Sequence, residues 1–209
     1  MVELFAPDLN TLSLDASSGI WIRHLNLDID HRKQWPDELL VLLKKFPRDS
    51  WKNQTASLSQ FWLDKHNDFR HQSRQLIGFT QNYREEKIQG QELVKRLGRS
   101  LQRFLSHLNG HHSIEDDHYF PRFRAADKRL APGFDVLEDD HYLLHEGMDE
   151  IAEKINAMAG SIRSSKKESV HKRAADAYMT SADLFFKRML QHLADEEDLI
   201  IPLMLEQGQ

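Results

Sequence analysis

The chain has 209 residues, 40% of them apolar and 29% charged, with a formal net charge of -5 and no cysteine. That composition fits one globular domain with an appendage and is too apolar for a disordered chain. There is no basic surplus for binding nucleic acid or an anionic membrane, and the lack of cysteine removes disulfides, thiolate nucleophiles, iron–sulfur clusters and cysteine-based zinc sites.

The N-terminal residues lack the charged-then-apolar order of a signal peptide, and a cysteine-free chain suits a reducing cytosol, so a cytoplasmic protein is expected. No stretch approaches the roughly 20 apolar residues of a membrane span. Residues 1–55 carry Pro7, Pro36, Pro47, Trp21, Trp35 and Trp51, and are expected to form an N-terminal extension packed on a main domain of residues 56–209. Within the extension one helix is predicted from Pro36 to Lys45, with Leu39, Leu42, Leu43 and Phe46 on one face.

From Ser57 onward the pattern is helical. A first long helix is predicted from Ser57 to Tyr83, with Phe61, Trp62, Phe69, Leu76 and Phe79 as its apolar stripe. A second begins near Gln91, carries Leu93, Leu97, Leu101, Phe104, Leu105 and Leu108, and stops at Tyr119-Phe120-Pro121 because proline disfavours a helical residue before it. Arg124 to Gly133 reads as a connection. A third helix runs from Phe134 to Met158, ended by Gly160-Ser161, and a fourth from Glu168 to Leu205, interrupted or bent near Pro202. No segment alternates like a strand. The expected fold is all-α: an antiparallel up-down-up-down four-helix bundle with an N-terminal extension.

Histidine is the compositional outlier, with 12 residues unevenly placed. His111 and Glu115 are four apart on the second helix, His192 and Glu196 four apart on the fourth, and His141 and His145 four apart on the third. That spacing puts both side chains of a pair on one face, about 5–6 Å apart at Cβ, as convergence on one ion requires. His66 lies on the first helix, and His111 and His192 each precede a proline by ten residues. In an antiparallel bundle these positions all fall roughly 10–16 Å from one end, at 1.5 Å per residue. Seven ligand-type side chains from four helices therefore share one layer.

Five imidazoles and two carboxylates exceed what one ion can use, but serve two six-coordinate ions if both carboxylates bridge. Imidazole with carboxylate suits iron, manganese or zinc. An odd number of imidazoles leaves one ion with an open position, where dioxygen, peroxide, nitric oxide or azide would bind.

The remaining histidines read as ordinary polar residues. His112 adjoins His111 and so points about 100° away, towards surface or groove; His118 reads as a pocket or capping residue and His71 as lying outside the seam. Glu115-x-x-His118 and Glu138-x-x-His141 match the ExxH signature of ferritin-like di-iron bundles. That alternative leaves His66, His111, His145 and His192 unexplained.

His66, His111-His112-x-x-Glu115-Asp116 leading to Phe120-Pro121, Asp140-His141-x-x-x-His145, and His192-x-x-x-Glu196-Glu197 leading to Pro202 together resemble the hemerythrin family, and more narrowly its bacterial HHE cation-binding branch. The resemblance covers about residues 57–206. It implies that His141, His145 and His192 hold one iron, that His66 and His111 hold the other with the open place, and that Glu115 and Glu196 bridge them, in an oxo- or hydroxo-bridged pair for which manganese or zinc could substitute. Invertebrate oxygen carriers place an aspartate five residues after the last histidine, whereas here Glu196 stands at four and Glu197 at five; the matching spacing on the second helix favours Glu196. Three functions are compatible: binding of dioxygen or another small diatomic or peroxide ligand, di-iron oxidoreductase chemistry on peroxide or nitric oxide, and iron-responsive interaction with a partner.

Overall fold

The computed structural model describes residues 27–165 and 167–209; the readings made of residues 1–26, including Trp21 and His24, lie outside them. Among the described residues every regular element is helical. In chain order these are α1 (Val41–Lys45), a 3-10 turn (Arg48–Asn53), α2 (Ser57–Arg84), α3 (Gly90–Ile114), a π-helical turn (Glu115–Tyr119), α4 (Phe120–Ala126), α5 (Ala131–Ser164) and α6 (Glu168–Glu206). α2 packs on α3 and α6, and α5 packs on α3 and α6, closing a ring of four long helices.

Each helix forms because its apolar residues recur on one face. On α2 the buried stripe is Trp62, His66, Phe69, Ser73, Leu76 and Thr80, at alternating steps of four and three. Phe61, expected in that stripe, is 52% exposed, because one residue's rotation from Trp62 carries it off the face. On α3 the stripe is Leu93, Leu97, Leu101, Phe104, Leu108 and His112.

Several element ends differ from expectation. α1 is confined to Val41–Lys45, preceded by turns in which Leu39 N–H donates to Pro36 O and Leu40 N–H to Asp37 O. Helical structure does not stop at Pro121. A π-helical turn intervenes, in which Phe120 N–H donates to Glu115 O five residues back, and Pro121 then sits in the first turn of α4, where its missing N–H costs nothing. α5 starts at Ala131, with Pro132 likewise in its first turn, and runs through Gly160 to Ser164. Ser161 and Ser164 hydroxyls donate back to the carbonyls of Met158 and Gly160 at 2.8 and 2.9 Å, so polar residues that read as a break are accommodated within the helix. α6 continues through Pro202 to Glu206.

The interior is two apolar clusters with a polar layer between them. One contains Phe69, Phe104, Leu108, Leu144 and Leu193; the other contains Trp62, Phe120, Leu137 and Leu199, together with Trp35, Leu39, Leu42 and Trp51 from the segment before α2. On α2, α5 and α6, and along α3 with its continuation to Phe120 at the start of α4, the buried histidines lie between a member of one cluster and a member of the other. The C-terminal half of α6 is buried almost all round, from His192 to Met204, because the segment containing α1 covers its outer face. Where α5 crosses α6 the approach is close: a Cβ on Gly133 would come within 2.6 Å of Leu199 Cδ1.

Candidate metal centre

The polar layer holds two groups whose ligand atoms each lie within 4.8 Å of one another: His112, His141 and His192, and His66, His111, Glu115 and Glu196. Four long helices or their extensions supply them. His66, His112, His192 and Glu196 are fully shielded from solvent.

The two carboxylates tie the groups together. Glu115 Oε1 lies 2.8 Å from His111 Nε2, and its Oε2 lies 3.6 Å from His141 Nε2. Glu196 Oε1 lies 3.6 Å from His66 Nε2, and its Oε2 lies 3.3 Å from His192 Nε2. Each carboxylate thus reaches one imidazole of either group. His66 Nε2 is 3.3 Å from His111 Nε2, and His141 Nε2 is 3.1 Å from His192 Nε2.

The far nitrogens are anchored. His141 Nδ1 donates to Asp116 Oδ1 at 2.8 Å, His192 Nδ1 to Asp140 Oδ2 at 3.3 Å and His66 Nδ1 to Glu197 Oε1 at 3.0 Å. His112 Nδ1 sits 3.2 Å from His145 Nε2. With Nδ1 so engaged, each ring turns Nε2 inward, the tautomer and orientation a metal ligand needs. Trp62 Nε1–H donates to Glu196 Oε1 at 2.7 Å.

Buried polar atoms are normally hydrogen-bonded. Here His112 Nε2, both oxygens of Glu115 and Glu196 Oε2 are buried without a hydrogen-bond partner. All four belong to the facing groups, and leaving each orphaned would cost about 1–3 kcal/mol. The donor set fits divalent cations of the iron, manganese and zinc kind.

Protonation follows the same geometry. Burial lowers the His111 imidazole to about 3, against an opposing pull from Glu196. Burial, reinforced by His141 and His192, holds His112 well below its usual range, and burial likewise lowers His141 despite Asp116. These three rings are neutral, as ligation requires. His192 goes the other way: burial opposes its charge, but Asp140 and Glu196 raise it to about 9. Burial, and then the charge of Glu196, push Glu115 well up. Glu196 is held low by His66 and His192 despite its burial.

Of the residues expected to be ligands, the structure brings together His66, His111, Glu115, His141, His192 and Glu196. His145 stands instead behind His112, only partly buried. His112 was read as a surface or groove residue, and it is buried in the layer. The 100° between adjacent residues misled because α3 lies against both α2 and α5: His111 faces His66 on the first and His112 faces His141 on the second. The sequence did carry a signal. The α3 stripe of Leu101, Phe104 and Leu108 continues at its own spacing to 112, and the α5 stripe of Leu137, His141, Leu144 and Met148 leaves 145 at its edge. His71 and His118 are exposed, and Glu138 pairs with Arg124, so the ferritin-like alternative has no site.

A cavity of about 520 Å³ opens between α2 and α3 onto His111 and Glu115, walled by Trp62, Phe69 and Tyr119. Among the described residues no helix is long and apolar enough to cross a membrane.

Among the described residues, an all-helical fold in which a group of three histidines faces a group of two histidines and two glutamates defines a helical cation-binding protein. The Hemerythrin HHE cation binding domain matches residues 57–204, and the chain belongs to that family. No curated protein and no solved structure matches the chain closely enough to add to this.

Proposed function

We propose that the chain is a cytoplasmic non-haem di-iron protein that binds dioxygen or a related small ligand at one of its two ions. His112, His141 and His192 hold one ion, His66 and His111 hold the other, and Glu115 and Glu196 bridge them. The observation that carries this is the reach of the two carboxylates, each within 3.6 Å of an imidazole in either group, with three of their four oxygens lacking a hydrogen-bond partner.

An antiparallel bundle supports the reading. α2 passes from Trp62 in one apolar cluster through His66 to Phe69 in the other; the path of α3 and the π-helical turn runs back from Leu108 to Phe120 at the start of α4; α5 passes from Leu137 to Leu144, and α6 from Leu193 to Leu199. The direction alternates from helix to helix, which brings the ligands to one depth. The cavity supports the assignment of the open place. It is lined by His111 and Glu115, ligands of the ion that has two imidazoles rather than three.

Ferrous iron in such a site supplies one-electron chemistry towards dioxygen and its relatives. The protein's own contribution is to fix four of the five rings through their far nitrogens, to exclude water with two apolar clusters, and to leave an approach from solvent between α2 and α3. Anaerobic loading with ferrous iron followed by air tests the reading. Two ions per chain and a visible band that disappears on deoxygenation are expected. Rapid irreversible oxidation with peroxide turnover would instead make the chain an oxidoreductase, and fewer than two ions in the saturated protein would end the di-iron reading.

A further inference from the structure

The matched domain begins at residue 57, yet two arginines that precede it reach the layer. Arg32 has a fully buried side chain. Its Nε donates to Asp195 Oδ2 at 2.7 Å, its Nη2 to Asp140 Oδ2 and its Nη1 to Leu27 O at 2.6 Å, and its guanidinium lies over the Trp35 ring. Asp140 is the carboxylate that accepts from His192 Nδ1. Arg48 Nε donates to Asp198 Oδ1 and its Nη2 to Ala194 O, both at 2.7 Å, while its Nη1 lies 3.4 Å from Glu197 Oε2. Glu197 is the carboxylate that accepts from His66 Nδ1. One arginine therefore stands behind one imidazole of each group, through Asp140 to His192 and through Glu197 to His66.

A segment that merely covered α6 would need only the apolar residues that do so, Trp35, Leu39, Leu42 and Trp51. Burying a guanidinium is costly unless it is paired and hydrogen-bonded, and Arg32 is matched to two buried carboxylates. A carboxylate that orients a ligand histidine must be fixed. A planar guanidinium fork does this, holding the plane and position of the acceptor.

We propose that Arg32 and Arg48 are positioning residues of the metal centre, so that the segment from Leu27 to Asn53 is a working part of the site. The proposal rests on the metal-centre reading above. Outer residues of this kind change metal affinity by about 10–100-fold, and each arginine acts on a different ion.

The test is calorimetric titration of the full chain with Co2+, which avoids redox chemistry. The wild-type chain is expected to take up two ions. Arg48 is 45% exposed at its side chain, so Arg48→Met folds, and it is expected to weaken one ion by about tenfold or more. Arg32→Lys keeps the charge but cannot fork onto both Asp140 and Asp195, and is expected to weaken the other. In a His66→Ala background, which lacks the ion behind Glu197, Arg48→Met should have no further effect while Arg32→Lys retains its own. Lys45→Met breaks an exposed pair with Glu206 on the same segment and should leave both affinities unchanged. If the wild-type chain binds two ions and both arginine variants stay within about twofold of it, or if Lys45→Met weakens binding as much as they do, the positioning role is overturned alone. If the wild-type chain takes up no Co2+, the metal centre is overturned and the role of the arginines with it.

Discussion

The rings of His112 and His141 lie face to face, with centroids 4.0 Å apart and planes 10° apart. Stacking at that distance requires at least one neutral ring, and burial keeps both below their usual range. The stack places two candidate ligand nitrogens from different helices side by side, as neighbouring positions on one ion would require.

This relationship separates His112 from His145. His112→Ala should lower bound iron from two per chain to one or fewer. His145→Ala removes only the group behind His112 Nδ1, and should keep two ions at about 10–100-fold lower affinity. Metal analysis of the saturated variants, with chelator competition for the affinities, decides the matter. Loss of an ion in His145→Ala with two retained in His112→Ala would make His145 the ligand.

The neighbouring acids of α6 separate in the same way. Glu196 lies between His66 and His192 with one oxygen unpartnered. Glu197 is engaged by His66 Nδ1 and by Arg70 at 2.6 Å, and these contacts hold its carboxyl low despite its burial. Glu196→Gln should bind fewer than two ions, whereas Glu197→Gln should still saturate with two. Equal stoichiometry in the two variants would contradict the bridging role of Glu196.

Much of this architecture was legible in the sequence. Counted from the helix ends, and for His111 and His192 from the proline ten residues on, His66, His111, His141 and His192 fall at one depth, and the stripes mark four long helices. What was not legible depended on which neighbours each helix has. His112 faces inward because α3 lies in a corner between α2 and α5, and no count along one helix shows that both of two adjacent residues are covered. The π-helical turn at Glu115 lets the helical path pass Pro121, where the rule for residues before proline predicted an end. Asp116 and Asp140 stand in the motifs with no role of their own in the sequence reading, and Glu197 stands there as the alternative bridge to Glu196. Only the structure shows them on the far nitrogens, and only there do Arg32 and Arg48 come within reach of the layer from far along the chain.

The metal-free protein should be most stable near pH 6.5. His111 is held near 3, with His112 and His141 also lowered, so below about 6.5 the unfolded chain binds protons that the folded chain does not, and stability falls with pH. His192 is raised to about 9. Its contribution is complete below about 6.5 and is lost as the pH climbs through 9, and the raised Glu115 carboxyl acts in the same alkaline direction. Loading the site requires His192 and Glu115 to give up their protons, so metal uptake should release protons and tighten as the pH rises towards 9. Melting curves across pH, and calorimetry in buffers of different ionisation enthalpy, measure the two effects. A melting temperature that rises monotonically from pH 5 to 9, or uptake without proton release, would contradict this account.

The cavity beside His111 can be closed without touching a ligand. Gly110 lines it, and a Cβ built there would meet nothing within 4 Å, so Gly110→Leu has room to extend its side chain between Phe69 and Ile114. Replacing a helical glycine by leucine should also stabilise the fold by roughly 0.5–1 kcal/mol. Iron content should therefore stay at two per chain while entry of a small anion slows. With azide as the probe, stopped-flow absorbance should show an association rate at least about tenfold lower, a slowing equivalent to about 1.4 kcal/mol on the entry barrier. If azide enters the variant at the wild-type rate, the ligand does not approach between α2 and α3, and the open place belongs to the other ion.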